Sequence, residues 1–439
     1  MWRIAARQRP RQARGAGRRR ATVARDRGEI LLAECALVRV RPGKQAALRA
    51  GRPWVYRGEI ETIRGEARTG GVVRVEDAHG AFVALGFYHQ TSVLAVRILT
   101  NRPDTSIDAQ FFYRRLASAW DLRKRMVDDP SVCRIVFAEA DGLPGLIADR
   151  LDDVIVVSTL VAGMDARLGE IVDALAELTG VRCFFERNDG PVRGLEGLPE
   201  RIGPLRGDPS DRVEIREGAV SLRVDLRHGQ KTGHFLDQRD NRQAFGAAVR
   251  RLLPLAPGRV VRILDAFCHT GGFGLQAMAA VAALGAPTEA VFLDAAETAV
   301  RDALDNAERN GFGGARGVRG NAFDVLRQYE RSDQHFAAVV LDPPAFARGR
   351  ATLNGAYRGY KEINLRAMRM LEPGGVLCTC SCSQPVDETM FRDMLRDAAA
   401  DAGRRMRVLA RRGAPPDHPG LLGADETQYL KCWILQAME

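Results

Sequence analysis

Three short segments carry residue types that could do chemistry together. They are Asp265-Ala266-Phe267-Cys268-His269-Thr270-Gly271-Gly272-Phe273-Gly274, Asp342-Pro343-Pro344-Ala345-Phe346 and Cys380-Ser381-Cys382-Ser383. Each follows an apolar or β-branched run of the kind that forms a buried strand, so each is predicted at a strand's carboxyl end. In an open parallel α/β sheet that edge is where ligands bind. A glycine turn for a cofactor, a carboxylate on a Pro-Pro turn and a cysteine on the same rim predict methyl transfer to a pyrimidine carbon.

The first segment reads as strand, glycine turn and helix start. Gly271 and Gly272 would let backbone amides approach a cofactor, and a helix amino terminus favours partial negative charge. Phe267, Cys268 and Phe273 would line that turn. It is not the dinucleotide pattern Gly-x-Gly-x-x-Gly, and no Lys-Ser/Thr follows, which excludes a phosphate-cradling P-loop. Asp294 is expected to end the second strand, where a carboxylate can accept hydrogen bonds from ribose hydroxyls. Its competing role is a helix cap. Asn321 and Asp324 are expected at the end of the third strand, with Asp324 reaching an adenine amino group. Asp265, Asp294 and Asp324 then outline an adenosine across the sheet edge.

In Asp342-Pro343-Pro344 each proline fixes its own φ and restricts its predecessor, so the carboxylate is rigid. Two chemistries use such a turn. In either, the following aromatic, Phe346, could stack on a flat base. An exocyclic amine could donate to Asp342 and a proline carbonyl while its lone pair attacks a methyl. Alternatively, a cytosine presents N3 to the carboxyl group. Cys382 favours the second. Carbon 5 of cytosine is a poor nucleophile until a thiolate adds to carbon 6 and creates an enamine, whereas amine methylation needs no cysteine. Cys380, inside the strand, is expected to pack. Alternate residues on a strand lie roughly 6.5–7 Å apart along one face. That spacing argues against a metal held by Cys378, Cys380 and Cys382.

Upstream, Lys231-Thr232-Gly233-His234-Phe235-Leu236-Asp237-Gln238-Arg239 is too polar for core. Phe235 could cover the cofactor, with Gln238 and Arg239 as polar contacts, and His234 is expected at the surface.

These residues need a frame. After residue 226, strands at 260–266, 290–294, 337–342 and 376–381 alternate with helices at 274–284, 296–310, 357–371 and 387–400, which predicts a doubly wound parallel sheet. Two last strands, 405–409 and 428–436, suit an antiparallel edge. Residues 107–225 read as a separate α+β unit, with a helix at 109–128, strands at 134–138, 154–159 and 181–186, and a helix at 168–178. Residues 36–106 read as a small β-barrel with strands at 36–40, 71–76, 81–87 and 94–99.

The chain of 439 residues is long enough for two or three cores. No apolar run approaches the roughly 18 residues of a membrane span, and the amino terminus lacks a secretory apolar region, so a cytoplasmic protein is expected. Ten arginines fall within residues 3–27 against one acid, Asp26, and supply most of the net charge of +10. The tail 1–35 is predicted to be disordered, either an arm on nucleic acid phosphates or a solvated extension. The eight cysteines show no Cys-x-x-Cys, which argues against a disulfide framework. Only Lys44, Lys124, Lys231, Lys361 and Lys431 are lysines. A lysine kept against so strong an arginine bias marks a place where a compact ammonium could matter.

Taken in order, the motifs resemble those of bacterial large-subunit rRNA cytosine-C5 methyltransferases. They are Lys231-Thr232-Gly233-x-Phe235-x-Asp237-Gln238-Arg239, Phe267-Cys268-x-Thr270-Gly271-Gly272-Phe273, Asp342-Pro343-Pro344-x-Phe346, Gly359-Tyr360-Lys361-x-Ile363-Asn364 and Ser381-Cys382-Ser383. The likeness runs over nearly the whole chain after residue 35. Arg52-Pro53-Trp54-Val55 resembles the start of a PUA domain, and His418-Pro419 and Tyr429-Leu430-Lys431 resemble the family's end. The resemblance implies an α/β fold: a Rossmann-like class I methyltransferase domain, a central α+β domain and an amino-terminal PUA-like β-barrel. It implies S-adenosylmethionine as cofactor, Cys382 as nucleophile and Asp342 at N3. RNA contacts are expected from Arg52, Trp54, Arg348, Arg350 and Lys361. The implied partner is large-subunit rRNA or its assembly intermediate, with the protein a monomer or homodimer. His269 stands where Tyr is common, and Ala296 where Ser commonly follows the ribose-binding acid. Sister families methylate other nucleotides, so amine methylation of guanine or adenine stands as an alternative, as does a non-catalytic RNA-binding assembly role. The sequence names no group that removes the carbon-5 proton.

Overall fold

The computed structural model describes residues 35–253 and 258–438; apart from Cys35, the Arg-rich tail 1–35 lies outside them. Six strands open the described chain: β1 (Ala36–Val40), β2 (Trp54–Tyr56), β3 (Ile60–Arg64), β4 (Val72–Glu76), β5 (Phe82–Tyr88) and β6 (Leu94–Thr100). They form one sheet in the order β2-β6-β5-β4-β1-β3. Alternation drives it: in β1, Ala36, Val38 and Val40 are buried while Leu37 and Arg39 face outward. The sequence pattern shows four of these strands and misses β2 and β3. β2 is only three residues long, and β3 is an edge strand whose last four residues are exposed, so neither carries a readable period.

The next sheet holds β7 (Val132–Phe137), β8 (Leu146–Leu151), β9 (Val154–Thr159), β10 (Cys183–Asn188) and β11 (Arg201–Arg206), ordered β11-β10-β9-β8-β7. Helices Ala109–Met126 and Leu168–Thr179 bury Phe112, Leu116, Ile171 and Leu175 in the same core as Ile135, Ile155 and Phe184 of this sheet. The hairpin β12 (Arg212–Glu217) and β13 (Val220–Asp225) follows as a sheet of its own. Its backbone is fastened to helix Glu297–Arg309 and the residue after it. Asn306 Oδ1 accepts from the Arg223 amide at 2.8 Å, and Asn310 Oδ1 from that of Ser221 at 2.9 Å. The hairpin lies within 107–225, yet it is clamped to the last sheet.

That last sheet contains β14 (Val261–Ala266), β15 (Thr288–Asp294), β16 (Ala315–Arg319), β17 (Phe336–Leu341), β18 (Leu371–Ser381), β19 (Met406–Arg412) and β20 (Lys431–Ala437), in the order β16-β15-β14-β17-β18-β20-β19. The first five in that order pair in parallel, and β20 runs antiparallel to both neighbours. This is the doubly wound α/β sheet that the sequence predicts. All six residues of β17 are buried, because helices cover both faces of a parallel strand, and so it reads as a continuous apolar run. Strand order reverses between β14 and β17, which opens a crevice at their carboxyl ends. Helix Arg239–Leu252 is not legible from pattern, since it begins Arg-Asp-Asn-Arg-Gln. Helix Ala322–Arg331 is likewise absent from the sequence reading.

His234, expected at the surface, is buried. The reason is Glu217 at the hairpin's end, which has no exposed side-chain surface. It accepts from Arg242 Nε at 2.6 Å and Nη2 at 2.5 Å and pairs with His234 Nε2 at 3.0 Å. Burial alone would push the Glu217 carboxyl up. Arg242, then His234, outweigh it and hold the carboxyl at about 2, below its ordinary 4.5. A carboxyl depressed in the folded state contributes stability above its unfolded pKa, and that stability is lost as pH falls toward the folded value. Unfolding free energy is therefore expected to decline as pH falls from about 4.5 to about 2. Glu217→Gln should flatten that stretch and cost about 3 kcal/mol at pH 7. Denaturant titrations across pH check both, and an unchanged acid slope in the variant would assign the effect to another group.

Candidate active site

The turn after β14 is built on unusual backbone. Phe267 (φ 65°) and His269 (φ 48°) lie in the left-handed region together with Gly271 (φ 84°), a conformation uncommon for residues with side chains. The neighbouring strand pins it: Phe267 and Cys268 amides donate to Leu293 O at 2.8 and 3.1 Å, and the His269 amide to Asp294 Oδ2 at 3.1 Å. Asp294 Oδ1 accepts from the Ala296 amide at 3.0 Å, so this carboxylate also caps the way into helix Glu297–Arg309. Asp265 Oδ2 accepts from the Gly274 amide at 2.8 Å and so holds the start of helix Gly272–Ala282. Burial pushes the Asp265 carboxyl well above the usual range, with Asp342 and Asp294 adding to it. A side chain on Gly271 would need positive φ and would sit 3.0 Å from the Ala303 methyl. The clearance here serves packing of helix on strand as much as ligand approach. The Phe235 ring meets His269 edge-on, with centroids 4.9 Å apart. Burial, then His234, pushes the His269 imidazole down to about 3, so it is neutral near pH 7. Burial raises the Cys268 thiol.

The tips of β17 and β18 form the facing rim. Gln238 Nε2 donates to Asp342 Oδ1 at 2.9 Å, and its own Oε1 accepts from Asn241 at 2.8 Å. Burial, then Cys380 and Asp237, pushes Asp342 well above the carboxylate range. The Cys382 thiol approaches the Pro343 carbonyl at 3.9 Å. Burial, then Asp342, pushes that thiol up to about 11, while Lys231 pulls it down. The strand tip is fixed by Tyr360, whose hydroxyl bonds Ser383 Oγ at 2.9 Å and accepts from Ser381 Oγ at 3.0 Å. Phe346, expected to stack on a base, packs instead against Tyr360 at 4.6 Å and Phe323 at 5.8 Å.

Several expected site residues have other partners. Arg239 is buried against Asp417 (2.9 Å), Asp240 (2.9 Å) and the Val132 carbonyl (2.9 Å), and it lines a separate cavity of about 420 Å³ with Asp128, Gln243 and Arg412. Asn321 caps helix Ala322–Arg331, and Asp324, in that helix's first turn, is exposed beside Arg327 at 3.4 Å. Arg52 binds Glu59 through two bonds of 3.0 and 2.6 Å, and Trp54 Nε1 donates to Glu139 at 3.0 Å. Both are committed to internal joints. Lys361 pairs with Asp401 at 2.7 Å, whereas Arg348 and Arg350 are exposed. The strand-spacing argument against converging sulfurs also fails. Cys378, Cys380 and Cys432 sulfurs lie within 4.8 Å of one another, because β20 brings Cys432 opposite Cys380. They are fully buried among apolar residues such as Ile263, Val340 and Ile434.

Sequence reasoning missed the residues that crowd the cysteine. Asp237 accepts from the Tyr429 hydroxyl at 2.5 Å and pairs with Lys231 at 3.5 Å, while its Oδ1 is buried without a partner. Lys431 lies across the ladder from Ser381. Lysine scarcity and the motifs Lys231 to Arg239 and Tyr429-Leu430-Lys431 were the signals that pointed there.

A braced glycine turn and acidic strand tips at the switch point of a β16-β15-β14-β17-β18-β20-β19 sheet define a class I methyltransferase. The chain belongs to the S-adenosylmethionine-dependent methyltransferase family, whose model matches residues 142–434; a PUA-like domain model matches residues 38–101. It is 38% identical over 401 residues to ribosomal RNA large subunit methyltransferase I of Aeromonas hydrophila subsp. hydrophila, covering 90% of this chain and 98% of that protein. It is 36% identical over 407 residues to the protein of the same name from Tolumonas auensis, covering 91% and 99%. Among solved structures, one described as a SAM-dependent methyltransferase from Streptococcus mutans shares the fold at a TM-score of 0.73 and 17% identity, over 91% of this chain and 99% of that one. A second methyltransferase structure, with the same score and coverage, is complexed with SAH. S-adenosylmethionine is the cofactor of this enzyme.

Because Arg239 compensates the buried Asp417 carboxylate, Arg239→Met is expected to cost about 3 kcal/mol of stability and to leave S-adenosylmethionine affinity within about twofold, well under 1 kcal/mol. Denaturant unfolding and calorimetry on the same preparation check this. A large loss of affinity in a folded variant would return Arg239 to the cofactor site.

Proposed function

We propose that the protein methylates carbon 5 of a cytosine in large-subunit ribosomal RNA through a covalent bond from Cys382 to carbon 6. The observation that carries this reading is the Cys382 thiol beside the Pro343 carbonyl, on the strand tip next to Asp342. The names of the relatives and the PUA-like domain support ribosomal RNA as the substrate.

The cofactor fits the residues present. Phe235 and Phe267 are half-buried rings beside the turn, and Asp294 is a half-buried carboxylate at the tip of β15. Gly271, Gly272, Phe273 and Cys268 shape the turn between them. When bound, S-adenosylmethionine supplies an electrophilic methyl group. The protein's part is to make carbon 5 able to take it. Asp342, bonded by the neutral Gln238 amide, has its carboxyl pushed toward the protonated form, the form that can donate to N3. That draws electrons from carbon 6, where the Cys382 thiolate adds, and the pair moves to carbon 5. After methylation the carbon-5 proton leaves, the C5–C6 double bond reforms and the C6–S pair returns to sulfur.

RNA carrying 5-fluorocytidine at the target cannot lose fluorine as a cation, so the enzyme should stall. A protein–RNA adduct that survives denaturing electrophoresis and needs S-adenosylmethionine is expected. Cys382→Ala should abolish adduct and turnover while keeping cofactor affinity near wild type. Cys380→Ala should keep activity, with a modest loss of stability from its fully buried site. Substantial methylation by Cys382→Ala would reject the thiolate route in favour of amine methylation.

A further inference from the structure

Lys431 opens β20 directly across the ladder from Ser381. Its Nζ donates to the Ser383 carbonyl at 2.7 Å and the Tyr429 carbonyl at 2.8 Å, so the side chain reaches past Cys382 to the residue beyond it. It is 5% exposed. Lys124, Lys231 and Lys361 each pair with an aspartate. Among the described residues no carboxylate pairs with Lys431; two neutral carbonyls hold it. A buried ammonium without an anion is unfavourable. The anion that the proposed reaction creates at this spot is the thiolate of Cys382.

We propose that Lys431 is a positioning residue whose buried ammonium, held at the carbonyl of the residue after Cys382, stabilises the Cys382 thiolate by its charge. The thiol's proton goes to water, and the ammonium keeps its own three. Other ionisable groups around the sulfur pull in both directions. Asp342 and Asp237 oppose its ionisation, Lys231 favours it, and Tyr360 and Tyr429 also border it. Burial lowers Lys431 to about 8, with the Cys382 thiolate, then Glu388 and Asp387, acting to raise it, so it still carries charge at neutral pH. The arrangement answers a need that the site itself creates: burial and Asp342 disfavour the very thiolate that must attack. A compact ammonium suits a space braced by two carbonyls better than a broad planar guanidinium of the same charge does, which accounts for a lysine in so arginine-rich a chain.

The inference rests on Cys382 being the nucleophile, so its test reads the thiol and not turnover. Iodoacetamide labelling of Cys382 is followed against pH by peptide mass in the full-length protein without RNA, with Cys382→Ala assigning the peptide. Lys431→Met should label about tenfold more slowly at pH 8, with the midpoint raised by about one unit. Lys431→Arg should stay closer to wild type than Lys431→Met. If Lys431→Met does not fold, Lys431→Gln keeps the carbonyl donors without the charge and should also label slowly. A wild-type pH profile in whichever uncharged variant folds would overturn the proposal and leave Lys431 a carbonyl clamp. An absent 5-fluorocytidine adduct alongside a Lys431-dependent thiol would instead reject the reading of Cys382 as nucleophile and leave this inference standing.

Discussion

Charge taken out of water must be compensated, and the polar segment from Lys231 to Arg242 carries enough of it to tie the molecule together. Thr232 donates to Asp149, itself held by Arg134 in the central sheet. His234 and Arg242 close on Glu217 of the hairpin. Asp237 takes the Tyr429 hydroxyl, Gln238 reaches Asp342, and Arg239 meets Asp417. One desolvated partner left alone is more costly than the whole pair is favourable. The segment therefore fixes the separation of the central sheet, the hairpin and the catalytic sheet as one joint requirement. The active site inherits its geometry from that requirement, since Asp237 and Gln238 sit between the residues doing the tying.

The same physics sorts the carboxylates into two kinds. Asp265, buried, and Asp342, half-buried, each have an amide group as direct partner and are pushed up. Glu217, Asp237 and Asp417 are buried too but face arginine, lysine or histidine, and are held down. Environments that drive like groups apart mark out different roles. A carboxyl pushed toward its protonated form, as at Asp342, suits donation to a ring nitrogen, while the acids held down hold the frame. In the proposed reaction the burial that pushes Asp342 toward its protonated form also disfavours the Cys382 thiolate, and this is the tension that a buried ammonium at Lys431 relieves.

The amino-terminal sheet is joined firmly to its neighbour. Trp54 donates to Glu139, and Arg97 binds Glu196 at 2.9 Å and Glu139 at 3.7 Å. Contacts of this kind, partly buried and with one arginine bridging two carboxylates, resist the rocking expected of two loosely linked units. Trp54, which looks like part of an RNA-binding face in the sequence, is thereby engaged at the joint, while Arg52 is held by Glu59 within its own unit. The PUA-like unit presents its remaining surface at a set distance from the sheet edge, and the exposed Arg348 and Arg350 lie on the loop that follows the Asp342 turn.

What the sequence determined by itself is what local pattern determines. Continuous apolar runs gave the parallel strands, glycine and proline gave the turns, and together they placed Asp265, Asp294, Asp342 and Cys382 at strand tips, because a strand followed by a turn has only one end to offer. The fold class and the cofactor were legible on those grounds and through the resemblance they support. Partners far apart in the chain were not. Burial of His234 depends on Glu217, the pairing of Arg239 on Asp417, and the place of Asp324 on a helix capped by Asn321. The meeting of Cys378, Cys380 and Cys432 depends on β20 lying against β18. Lys431 acquires its place only when that antiparallel strand sets it opposite Ser381. Side-chain identity fixes what a residue can do; which groups share its desolvated space, and so whether it is charged, paired or free to act, is a property of tertiary contacts that no local period encodes.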